Sequence, residues 1–180
     1  MRCKMDNRII GKEYYYRGHV FDVSKVHVKL PDGRERGYDL VEHSDSVTIV
    51  PVSADGLLYF VAQHRIGAGQ ELLELPAGVL DNDEQPIKAA NRELQEEIGK
   101  AAGELQELGG FYLAPGYSDE FMLVYLATGL YESPLDPDED EFLQIVTMPV
   151  EEAYQKAYSG EISDGKTLAS LLLAKPFLIP

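Results

Sequence analysis

At 180 residues the chain is long enough for one well-buried core, or one core with a small appendage. Its 44% hydrophobic and 26% charged residues are globular proportions, and a net charge of −15 excludes a general nucleic-acid binder, since phosphate backbones are held by Lys and Arg. The single cysteine, Cys3, allows no internal disulfide, and no apolar run has the length of a signal peptide or a membrane span, so a cytoplasmic protein without membrane contact is expected.

Residues 18–43, GHVFDVSKVHVKLPDGRERGYDLVEH, alternate apolar and polar positions. Val20, Val23, Val26 and Val28 lie in the first arm and Pro31-Asp32-Gly33 supplies a turn, which predicts a hairpin ahead of the main apolar body. SVTIVPVS (46–53) and LLYFVAQ (57–63) read as two buried strands joined by Ala54-Asp55-Gly56. A glycine-containing loop, QHRIGAGQ, then leads into ELLELPAGVL, where Pro76-Ala77-Gly78 predicts a tight backbone feature rather than a continued strand.

The acidic stretch DNDEQP precedes a helix of about 13 residues, with Pro86 at the first helical position and Gly99 as terminator. Ile87, Ala90, Leu94 and Ile98 recur along one side of it. Residues 109–115 and 120–130 are further strand candidates, 136–142 (DPDEDEF) is an acidic loop, and LQIVTMP a last strand. VEEAYQKAYSG and DGKTLASLLLAK close the chain as two helices, the second with Leu168, Leu171, Leu172 and Leu173 to bury. Strands and helices mix without regular βαβ alternation, which makes the class α/β with a mixed sheet between helices.

The first helix ends in RELQEEIG (92–99). At about 100° per residue, Glu93 and Glu97 lie roughly 40° apart, with Glu96 about 60° to the other side of Glu93. The apolar stripe falls on the adjacent flank, so the helix is expected to bury one side and to offer a partly exposed carboxylate claw on its neighbour. Like charges at this spacing repel by a few tenths of a kcal/mol per pair, roughly. ELQEE alone would usually be a solvated acidic face. A hard divalent cation, which takes oxygen ligands and keeps several waters, is the other resolution.

The wider spacing decides between them. Gly78, Glu84, Arg92, Glu93, Leu94, Glu96, Glu97 and Gly99 resemble the Nudix box, here spanning 78–100, with one departure: Lys100 stands where an aliphatic residue is usual. That position serves packing rather than chemistry. The resemblance implies that Mg²⁺ or Mn²⁺, two to three ions per site, is bound by Glu93, Glu96, Glu97 and the backbone carbonyl of Ala77. Arg92, grouped with the catalytic residues, would hold one of these carboxylates in orientation and can also pair with Glu96. Glu84 would either complement the helix dipole or stand near the metal.

ELPAG (74–78), APGYSDE (114–120) and the segment from the acidic loop to EISDGKT look like the branch that hydrolyses ADP-ribose and other nucleoside diphosphate sugars. Over roughly residues 14–175, this implies an α/β/α sandwich around a mixed sheet, with residues 1–43 as an N-terminal hairpin extension and 44–180 as the hydrolase domain. A homodimer built through the hairpin follows by the same resemblance, and a two-stranded ribbon needs a surface to cover in any case. Arg65 would contact a substrate phosphate, with Glu74, Gly78, Pro115 and Glu120 also on the substrate side. The same resemblance implies that the base would come from a loop matching DPDEDEF, Glu139 first and Glu141 second. GDP-mannose or a broad range of nucleotide sugars is the alternative substrate reading; a non-catalytic nucleotide-sugar sensor would be expected to lack box glutamates that stand here. His19, His27, His43 and His64 have no zinc-site spacing, and Ser118 and Ser159 lack the His/Asp pattern of a nucleophile.

Overall fold

β-Branched and aromatic residues recur between Ile9 and His43, and in the computed structural model, which describes residues 8–81, 83–136 and 142–179, this segment forms three antiparallel strands. These are β1 (Ile9–Arg17), β2 (Phe21–Lys29) and β3 (Glu35–His43), in the order β1-β2-β3. β2 and β3 are the two arms expected from the sequence, joined where Gly33 adopts a positive φ of 87°. β1 is an addition. Its nine residues, IIGKEYYYR, favour strands, but all except Gly11 are exposed, so no alternation marked it.

The described part of Met1–Ser44 forms one compact unit together with Tyr112–Phe121, and Asp45–Phe111 with Met122–Pro180 forms a second. In the first unit, the Val41 N–H donates to the Tyr117 carbonyl at 2.7 Å, tying the 112–121 segment to β3.

The second unit carries the larger core. Its strands are β4 (Ser46–Pro51), β5 (Leu57–Arg65), β6 (Gln70–Glu74) and β7 (Ala77–Val79), followed by α1 (Pro86–Ile98) and β8 (Lys100–Ala101). Then come β9 (Glu104–Tyr112), β10 (Phe121–Thr128), β11 (Tyr131–Glu132), β12 (Gln144–Pro149), α2 (Val150–Ser159) and α3 (Gly165–Leu178). One sheet runs β7-β4-β10-β9 and another β12-β5-β6; β4 pairs parallel with β10 and antiparallel with β7, so the architecture is mixed.

β4 is buried at every residue, as VTIV covered on both faces requires. Val47 and Ile49 pack with Ala89, Ala90, Leu94 and Ile98 of α1, whereas Val50 joins Ala153 of α2 and Leu171 of α3 in the opposite cluster. Helices therefore cover both sides of the strands, the expected α/β/α sandwich. Leu172 departs from expectation: it is exposed, because a helix presents only one side to a core and Leu171 already occupies it.

α1 begins at Pro86 and ends at Gly99, whose φ of 69° is the left-handed cap that glycine adopts without a Cβ penalty. Two details differ from the sequence reading. Ile87 is 45% exposed, and Glu93 and Glu97 lie on the buried face at 7% and 8%. Both carboxylates share this face with the fully buried Ala89 and Ala90. Lys100 substitutes for the expected aliphatic residue by pairing with Glu132 and standing over the Tyr59 ring, 5.4 Å from its centroid.

Candidate active site

The chain turns sharply after β6, and its backbone there is pinned by three hydrogen bonds. The Pro76 carbonyl accepts from the Ile49 N–H at 2.8 Å and from the Thr48 hydroxyl at 3.3 Å. The Leu75 N–H donates to Thr167 Oγ1 at 2.8 Å. Ala77 and Gly78 then enter β7, antiparallel to β4 and beside α1.

α1 sets Glu93 and Glu97 against this turn, one helical turn apart. The Ala77 N–H donates to Glu97 Oε2 at 3.3 Å. The Glu93 carboxylate lies where a side chain on Gly78 would be: a Cβ built there would meet Glu93 Oε1 at 1.9 Å. Glycine at position 78 is thus required by close approach to a carboxylate, not by backbone conformation.

Arg92 gathers the remaining charge. Its Nη1 donates to Glu93 Oε1 at 2.7 Å and to Glu96 Oε2 at 2.8 Å, its Nε and Nη2 donate to Glu84 at 3.1 and 3.0 Å, and Nη2 reaches the Val79 carbonyl at 3.2 Å. The hydrogen bond from Arg92 holds the Glu84 carboxyl below its ordinary value, and the same contact first, then the charges of Glu93 and Glu96, keeps the guanidinium protonated. Glu84 stands one residue before the N-cap Gln85, with its carboxylate on Arg92. The orienting contacts expected of Arg92 and the i,i+4 pair with Glu96 coexist.

Carboxylate and carbonyl oxygens are the hard donors that Mg²⁺ and Mn²⁺ take. Donor type and neighbourhood fit such an ion. Among the described residues no three acidic, His or Cys side chains form a ready-made metal cage, and Arg92 already engages Glu84, Glu93 and Glu96. An incoming cation would displace part of that guanidinium contact.

A second acidic side chain is more deeply placed. Glu74, 1% exposed at the end of β6, accepts from Arg65 Nε at 2.8 Å and from Arg65 Nη2 at 2.7 Å, and also pairs with Lys166. Burial pushes the Glu74 carboxyl up, but the Arg65 hydrogen bonds and the Lys166 charge outweigh it and hold the group below its ordinary value. Glu74, expected on the substrate side, is paired here with these two cations, and Arg65 is the half-exposed member of the set. The charges of Asp164 and Glu97 also act on Arg65, placing it in the electrostatic neighbourhood of the α1 carboxylates.

Of the other residues read from the sequence, Pro115 and Glu120 lie in the 112–121 segment of the first unit, where Glu120 stands 3.7 Å from His43 Nδ1. Glu139 and Glu141 lie outside the described residues. Lys166, Asp164 and Thr167 were not singled out. Asp164-Gly165-Lys166-Thr167 carries a helix N-cap signal, but nothing local links it to Glu74, 92 positions earlier.

Comparison with known proteins adds to this geometry. The model of the NUDIX domain matches residues 42–171. An ADP-ribose pyrophosphatase of Bacillus subtilis is 34% identical over 165 residues, 91% of this chain and 89% of that protein. An ADP-ribose pyrophosphatase of Mycobacterium tuberculosis is 37% identical over 170 residues, 93% and 82% of the two chains. A crystal structure of an ADP compounds hydrolase superposes with a TM-score of 0.84 at 28% identity, covering 94% of this chain and 92% of that one.

Proposed function

The chain belongs to the NUDIX family, and from that premise we propose that it hydrolyses the diphosphate bond of ADP-ribose or a related nucleoside diphosphate sugar, releasing a nucleoside monophosphate and a sugar phosphate. The observation carrying this reading is the pair Glu93 and Glu97, almost buried on α1 and set against the Ala77-Gly78 backbone. Two ADP-ribose pyrophosphatases that match most of the chain support the substrate class.

Glu93, Glu96, Glu97 and the Ala77 carbonyl would hold Mg²⁺ or Mn²⁺, which when bound supplies charge neutralisation at the diphosphate and acidifies a water. The chain's own residues do the positioning. Arg92 holds Glu93 and Glu96 in alignment. Gly78 leaves room for the Glu93 carboxylate. Arg65 offers N–H donors to a phosphate oxygen, a charge-assisted contact suited to a diphosphate.

Incubating the protein with ADP-ribose, GDP-mannose and other nucleotide sugars, with and without EDTA, tests the proposal. Mononucleotide release that EDTA abolishes is expected, fastest from ADP-ribose. Binding without release would indicate a sensor, and release unaffected by EDTA would remove the metal role.

The first unit is proposed as the contact between two copies. Ile9, Tyr14, Tyr15, Tyr16, Phe21 and Tyr38 are exposed there, a concentration of large apolar groups that a monomer seldom leaves uncovered. Light scattering after gel filtration is expected to give twice the chain mass, and Tyr15→Glu to shift it toward monomer. A wild-type protein at 20.0 kDa would refute the dimer.

A further inference from the structure

Glu74 raises a question that its partnership with Arg65 does not answer. Nε and Nη2 of one guanidinium already engage both carboxylate oxygens, the bidentate arrangement that fixes an Arg plane. A second cation, Lys166, 11% exposed, nonetheless reaches the same carboxylate from α3. Burying another charge there is costly unless it too is paired, and it is: Lys166 Nζ donates to Asp164 Oδ2 at 3.0 Å.

The contacts close into a ring. Asp164 caps α3, accepting from the Thr167 N–H at 3.0 Å and from the Thr167 hydroxyl at 2.6 Å. Thr167 Oγ1 accepts from the Leu75 N–H, and Leu75 is covalently next to Glu74. Lys166 completes the circuit from Asp164 back to Glu74. Glu74, Leu75 and Thr167 are each at most 1% exposed, so this side of the ring sits in the packed interior, where small displacements are resisted. Arg65, joined to Glu74 through Nε and Nη2, is the member most open to solvent, at 45% against 11% for Lys166 and 15% for Asp164.

We propose that Lys166 is a positioning residue for Arg65: by sharing the buried Glu74 carboxylate, it holds the guanidinium in one orientation as a receptor for an anionic phosphate oxygen of the substrate. The proposal rests on the hydrolase reading above and on Arg65 as its phosphate contact. Two features distinguish it from a simple staple between α3 and β6. Thr167 and Asp164 already join α3 to Leu75 without Lys166. Lys166 adds nothing to that join except a contact on the one carboxylate that sets Arg65.

An interaction made equally in the bound substrate and the transition state alters KM and leaves kcat nearly untouched. Steady-state kinetics with ADP-ribose at saturating Mg²⁺ therefore separates the possibilities. Arg65→Met is expected to raise KM by roughly 10–100-fold, in line with loss of a charge-assisted hydrogen bond. Lys166→Met is expected to raise KM about 10-fold with kcat within about threefold, and Lys166→Arg to recover most of the loss. In the Arg65→Met background, Lys166→Met should add nothing further, because its effect passes through Arg65.

An equal KM rise from Lys166→Met with or without Arg65 would overturn the proposal, as would a wild-type KM in the folded variant. If Arg65→Met leaves KM unchanged, there is no anion contact to position and the proposal falls while hydrolysis stands. Absence of ADP-ribose cleavage by the wild-type protein would instead strike the hydrolase reading. Glu74→Gln/Lys166→Met, which removes the buried carboxylate and the lysine charge together so that neither is left without the other, is the second variant. It is expected to fold and to show the same KM rise; a folded pair with wild-type KM overturns the positioning role.

Discussion

Replacing Glu97 by Gln is expected to lower kcat on ADP-ribose by roughly three orders of magnitude, about 4 kcal/mol in the barrier, while the fold survives. The two expectations have different causes. The amide is nearly the size of the carboxylate, and its oxygen can still accept from the Ala77 N–H, so the packing of α1 against the 74–78 turn is retained. What is lost is the negative charge and one hard donor at the place where a divalent ion would be held. Turnover at saturating Mg²⁺, with thermal unfolding followed by circular dichroism, separates the effects. A folded variant with unchanged turnover would take Glu97 out of the ligand set.

Gly78→Ala should cost roughly 100-fold in kcat, about 2.7 kcal/mol in the barrier, for a steric reason. The new methyl would occupy the place of the Glu93 carboxylate, 1.9 Å from Oε1 and 2.0 Å from Cδ. No real contact is that short, so one of the two must move. The carboxylate is the far end of a side chain with three rotatable bonds and yields more easily than the backbone of β7. Stability should therefore change little, and the loss should appear as weaker Mn²⁺ affinity together with slower turnover. Isothermal titration with Mn²⁺ reads the first, ADP-ribose hydrolysis the second. Wild-type values for both would mean that the position of Glu93 is not critical.

The two changes probe opposite sides of the same contact. One removes charge and keeps shape; the other keeps charge and removes space. Arg92 bears on the second, because it binds Glu93 and Glu96 through the same nitrogen. Displacing Glu93 leaves Arg92 with Glu84 and Glu96 as partners, which is why Gly78→Ala is not expected to unfold α1.

Much of this arrangement was legible before any coordinates. Pro86 and Gly99 bracket α1 because proline suits a position whose N–H has no helical partner and glycine accepts a positive φ; both effects are local. The spacing from Gly78 to Gly99 pointed to the family for a related reason. It encodes a turn, a helix and carboxylates one turn apart, all within one short stretch. β1 escaped notice because its residues face outward on both sides, and without a buried face a strand has no period to detect. Periodicity alone places Ile87 and Leu172 in the core, because it finds an apolar stripe but not its edges; both are exposed.

The amino-acid order by itself determined where α1 starts and stops, which carboxylates share a helical turn, and that a glycine precedes them at the family spacing. These follow from backbone geometry over a few residues. Tertiary structure alone decided that Glu93 and Glu97 turn inward, that Gly78 is held empty by a carboxylate, and that Lys166 meets Glu74 across 92 positions. Burial and long-range ion pairs depend on which surfaces pack together, and no local pattern carries that information.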